Sequence, residues 1–115
     1  MTNERIKANK DAMLAFDTVR QIPVEGLHLH MWADDDGDLN LNDTFAFQVD
    51  REDDANKLDA VLDRVEKLKA MDCEFKCSVS FDDDGYMFFN YYFGFVYGHA
   101  WNENSVTITV MIVTK

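Results

Sequence analysis

The chain has 115 residues, 47% of them apolar, 15 aromatic side chains (9 Phe, 4 Tyr and 2 Trp) and a formal net charge of −11. That size and apolar content suit a single hydrophobic core and argue against intrinsic disorder, and no apolar run approaches the roughly 18 residues that a membrane helix needs. A field this negative repels nucleic acid and anionic membranes and attracts basic surfaces, so direct nucleic-acid binding and a membrane role are not expected.

Residues 3 to about 21 read as a helix with a narrow apolar stripe of Ala8, Ala12, Ala15, Phe16 and Val19, capped by Thr2 or Asn3 and stopped by Pro23. The polar, mixed-charge segment from Met1 to Lys10 is unlike a signal peptide, and a cytoplasmic location is expected. Residues 26 to 33 alternate as a strand, with Leu27, Leu29 and Met31 on one face and His28, His30 and Trp32 on the other. Asp34-Asp35-Asp36-Gly37-Asp38 is a turn, and a second strand from Leu39 to about Val49 returns to complete a hairpin.

From Asp50 to Met71, Leu58, Val61, Leu62, Val65 and Leu68 repeat at helical spacing, with acids at the start and lysines at the end. Three strands follow. In the first, Cys73, Phe75, Cys77, Val79 and Phe81 alternate with Glu74, Lys76, Ser78 and Ser80, which predicts one buried and one wet face. Asp82-Asp83-Asp84-Gly85 turns into a strand over 86–97 that is aromatic on both faces, and a last strand runs from about Ser105 to Thr114. The expected fold is α+β, with element order α-β-β-α-β-β-β in one domain over residues 1–115. Its single, largely antiparallel five-stranded sheet carries both helices on one face.

Cys73 and Cys77, four apart on a strand, lie near 13 Å from each other, which is beyond disulfide reach. Both are expected to be reduced core thiols with low reactivity. The His28-x-His30 pair needs further converging ligands, such as His99 or an aspartate, before it is a zinc site. The glycines of the two Asp-Asp-Asp-Gly turns put Trp32 and Ser80 at the first ligand position of an EF-hand, which excludes that motif. Phe93-Gly94-Phe95-Val96 has the aromatic pattern of an RNA-binding strand, but basic residues and the β-α-β order are missing. With no nucleophile elbow, phosphate loop or matched acid–base pair, neither catalysis nor a metal or cofactor is expected.

The charge is concentrated in one half of the chain. Residues 31–84 hold 17 acids and 6 bases, a net of −11, whereas the flanks hold 5 of each. If these carboxylates converge, they form a surface for a basic partner protein: Asp34, Asp35, Asp36 and Asp38 in the first turn, Glu52, Asp53, Asp59, Asp63 and Glu66 on the helix, and Asp82, Asp83 and Asp84 in the second turn. This pattern leads to an expected function as an inhibitor that blocks a nucleic-acid-binding surface, in the manner of phage DNA mimics acting against restriction or CRISPR enzymes. The alternative is a homodimeric or chaperone-like binding module that uses an aromatic sheet face of Trp32, Tyr86, Phe88, Tyr92 and Trp101 for a small ligand or a partner protein.

Overall fold

The computed structural model describes residues 3–24, 28–48 and 51–113, with only the backbone described at residues 28, 29 and 99–101. Seven elements follow the expected order: α1 (Asn3–Arg20), β1 (His28–Ala33), β2 (Leu39–Gln48), α2 (Glu52–Lys69), β3 (Glu74–Phe81), β4 (Met87–Tyr97) and β5 (His99–Val113). The strands form one sheet in the order β1-β2-β5-β4-β3. Three neighbouring pairs are antiparallel, while β2 and β5 run parallel, from Asn40 opposite Ser105 to Gln48 opposite Val113.

The alternation of each strand assigns its two faces. Leu41, Phe45 and Phe47 of β2, Phe93 and Phe95 of β4 and Val106, Ile108 and Val110 of β5 are buried on the helix-bearing face. Against them pack Ala8, Ala12, Ala15, Phe16 and Val19 of α1 and Val61, Val65 and Leu68 of α2. The alanines of α1 let its backbone lie close to the sheet, and each large side chain removed from water contributes about 2 kcal/mol before entropy is counted. The opposite face carries polar pairs: the Ser105 hydroxyl donates to Asn40 at 2.6 Å and the Thr109 hydroxyl to Asn90 at 3.1 Å.

The last strand is longer than the sequence pattern suggests, because it continues back through Asn104 to His99. Asn104 is fully buried, and its side-chain oxygen accepts from the Leu39 amide at 2.7 Å while its amide donates to Asn9 at 2.8 Å. One polar side chain therefore extends the parallel ladder by a step and ties α1 to the edge of the core.

The alternation in β3 is real, but its burial differs from expectation. Cys73 and Phe75 are half-buried, whereas Cys77 is exposed, Val79 is 52% exposed and Phe81 is 66% exposed. Coverage explains the difference. α2 starts beside the end of β2, where the Gln48 amide donates to Asp54 at 2.7 Å, and it ends beside the start of β3. Its path is oblique across the sheet, so the helices cover the beginning of β3 and leave its end bare.

Candidate partner-binding surface

The two acidic turns share one local structure. In each, the first aspartate carboxylate accepts two backbone amides: Asp34 from Asp36 and Asp38 at 3.0 Å, and Asp82 from Asp84 at 3.0 Å and Tyr86 at 2.9 Å. Each turn closes through its glycine, whose amide donates to the first aspartate carbonyl, and Gly37 and Gly85 adopt φ of 81° and 84°. Left-handed backbone is cheap for glycine, so the repeated Asp-x-x-Gly spacing encodes both turns.

Their positions and charge balance differ. The turn at 34–38 lies at the end of the sheet marked by Ser105, and the turn at 82–85 lies at the end marked by Ile112. Seven residues of β5 separate those levels, about 23 Å at 3.3 Å per residue. At the first end the chain supplies its own cation. The Arg5 guanidinium donates to Asp38 at 3.2 Å and to the Asp36 carbonyl, and it sits 5.3 Å from the centre of the Tyr97 ring. Asp38 is only 2% exposed and also accepts from the Tyr97 hydroxyl, so it belongs to the interior and not to an open acidic surface. Burial, followed by that hydrogen bond to a carboxylate, pushes the Tyr97 phenol up to about 12.

Oxygens of Asp34, Asp36 and Asp38 lie within 4.8 Å of one another, the kind of cluster that holds a cation, and Arg5 already sits against it. The second turn has no such arrangement: Asp82, Asp83 and Asp84 are exposed and make no ion pair among the described residues. Along α2, Asp63 pairs with Arg64 at 3.0 Å and Lys67 at 3.4 Å, and Glu66 pairs with Lys69 at 3.4 Å. Glu52, Asp53 and Asp59 are exposed and unpaired among the described residues. The carboxylates therefore do not converge on one face. They divide between the two ends of the sheet and the length of α2; Arg5 offsets Asp38 in the first turn, whereas Glu52, Asp53, Asp82, Asp83 and Asp84 at the other end meet no cation among the described residues.

The aromatic residues are also dispersed. Trp32 is 39% exposed on the open sheet face, with its ring 5.0 Å from that of His30. Tyr86, Phe88 and Tyr92 are half-buried, and the side chain of Trp101 lies outside the described residues, as do those of His28 and His99. Tyr92 donates to Glu103 beneath the Lys76 ammonium, which stands 5.6 Å from its ring centre. Burial, with the Glu103 contact second, raises the Tyr92 phenol well above its ordinary range. Around these rings the open face is largely amide and hydroxyl, so it presents separate aromatic side chains and not a continuous patch. The most exposed large apolar side chains among the described residues are Val79 and Phe81, neighbours on the face that alternation alone had assigned to the core.

A cleft of about 440 Å³ between α1, Asp72–Glu74 and the segment 94–98 is lined in part by charged groups, of which Lys7, Asp11 and Asp72 pair with one another. Lys7 bonds Asp11 at 2.8 Å and approaches Asp72 at 3.5 Å, and the Asp11 contact raises its pKa further. Burial raises the Cys73 thiol in the same cleft, which opposes formation of the nucleophilic thiolate. No helix of the described residues is long and apolar enough to cross a membrane. Comparison of the chain with protein families, curated proteins and solved structures returns no match.

Proposed function

We propose that this chain is a small, non-enzymatic acidic protein that occupies a basic, nucleic-acid-binding surface of a partner protein. The observation carrying this reading is the hairpin end, where Asp82, Asp83, Asp84, Glu52 and Asp53 are exposed and unpaired among the described residues. Nucleic-acid-binding surfaces present Lys and Arg arrays that pair with phosphates and release the cations condensed on them, and exposed carboxylates offer those arrays charge of the same sign as phosphate. The exposed acids Asp34, Asp35 and Asp36 provide a second contact about 23 Å away, the rise of about seven base pairs. The elongated shape, 49 × 28 × 21 Å, suits a groove-filling role.

The test is capture from a cell lysate on immobilised protein at about 0.05 and 0.5 M salt, followed by elution with duplex DNA. The expected result is that nucleic-acid-binding proteins are retained at low salt, released by DNA, and lost with the Asp82→Asn/Asp83→Asn/Asp84→Asn variant. Partners that survive high salt and are not displaced by DNA would overturn the proposal.

A further inference from the structure

The bare corner of the sheet has both a shape and a charged rim. Its floor is the end of the β3–β4 hairpin, where Phe81 faces Met87 and Val79 faces Phe89, continued through Ile112 to Phe47 by the strand register. A hollow of about 280 Å³ lined by Phe47, Ala55, Leu58 and Ile112 forms its inner margin against α2. Apolar side chains left exposed side by side, within a polar rim, are the kind of surface on which a partner docks. Carboxylates stand on both sides: Asp82, Asp83 and Asp84 beyond the hairpin, and Glu52 and Asp53 at the start of α2, where Asp54 is turned in to the Gln48 amide and Lys57. Segments 51–57 and 82–84 together hold six acids against two bases, Arg51 and Lys57.

We infer that this acid-rimmed apolar corner docks a short basic amphipathic helix of the partner protein. The inference rests on the electrostatic reading above and adds an apolar anchor to it. Charge selects this occupant over a second copy: a two-fold dimer through the corner brings two acidic rims together, on chains that each carry −11. Size agrees as well. Two strands about 4.8 Å apart and the four-residue span from Cys77 to Phe81, about 13 Å, match a helix about 10 Å wide over about nine residues. Such a helix places apolar side chains at i, i+4 and i+7 on the floor and directs flanking Lys or Arg to the two acidic groups.

The experiment uses two fluorescein-labelled synthetic peptides of about 14 residues, so that the helix outreaches the corner. One carries leucines at amphipathic spacing among lysines, and the other keeps the lysines but has serines in place of the leucines. Anisotropy titrations compare the wild-type chain with Phe81→Ser, Val79→Ser and the triple asparagine variant of the 82–84 turn. The leucine peptide is expected to bind the wild type at least about tenfold more tightly than the serine peptide, as loss of a buried anchor implies. Either serine variant should erase that advantage, and the asparagine variant should weaken both peptides. Phe81 and Val79 are exposed, so their replacement leaves the core intact. Equal binding of the two peptides, or indifference to both serine variants, overturns the docking corner and leaves the electrostatic reading standing. If neither peptide binds at low salt, both fall. Concentration-dependent dimerisation that Phe81→Ser abolishes assigns the corner to a second copy and overturns the inference.

Discussion

Replacing Arg5 with methionine tests how the first acidic turn is held. The Asp38 side chain is 3% exposed, and its partners are the Arg5 guanidinium, itself 26% exposed, and the Tyr97 hydroxyl. Methionine keeps much of the aliphatic bulk but removes the cation, leaving a buried carboxylate within 4.8 Å of oxygens from Asp34 and Asp36. Breaking a buried pair from one side costs about 3 to 5 kcal/mol. Here Arg5 is partly solvated and Tyr97 still donates, so about 2 to 3 kcal/mol is expected. At roughly 4 °C per kcal/mol for a chain of this size, the melting temperature should fall by about 10 °C. Asp38→Asn removes the charge that needs compensation and should cost less. The double variant should fall short of the sum of the two by about 1 to 2 kcal/mol, because both changes remove one interaction. Urea unfolding followed by circular dichroism measures all four corners of this cycle. An Arg5→Met loss below about 0.5 kcal/mol, or strict additivity in the double variant, would refute the compensation of the buried Asp38 carboxylate by this cation.

Two further outcomes follow from the buried polar groups. Asn104→Ala removes two hydrogen bonds and strands the Leu39 amide, so it should cost about 2 to 3 kcal/mol and speed hydrogen exchange at Leu39; a loss under about 1 kcal/mol with unchanged exchange would count against it. The Tyr97 phenol is raised from 10.0 to about 12, so its contribution to stability is complete below pH 10 and is lost as pH rises through about 12. Unfolding free energy should therefore fall more steeply across that interval in the wild type than in Tyr97→Phe, and parallel curves would refute the assignment.

Much of the architecture is written in local pattern. Helical spacing in Val61, Val65 and Leu68, alternation in Val106, Ile108 and Val110, and the paired Asp-Asp-Asp-Gly turns each specify an element through its own periodicity or turn chemistry. These signals are short in range, so a single sequence carries them in full. The start of β5 escaped because His99 to Asn104 is polar and aromatic without alternation; it folds back on Phe95 to Tyr97 of β4 with a register shift at Val96/Tyr97, an irregularity that no periodic pattern carries.

The surface was decided by assembly. Strand alternation states that Cys77, Val79 and Phe81 share a face, but it cannot state whether a helix reaches them. Two helices about 10 Å wide cover roughly four strands spaced 4.8 Å apart, and the oblique course of α2 determines that the end of β3 goes uncovered. Composition likewise reports −11 without reporting which carboxylates meet a cation. Arg5 reaches Asp38 and Lys67 reaches Asp63, while Asp82, Asp83 and Asp84 meet no ion-pair partner among the described residues. Local sequence determines which residues can form a face, because period and turn chemistry act over a few residues. Which face stays open, and where charge survives, depends on packing between elements distant in the chain, and only the tertiary structure settles it.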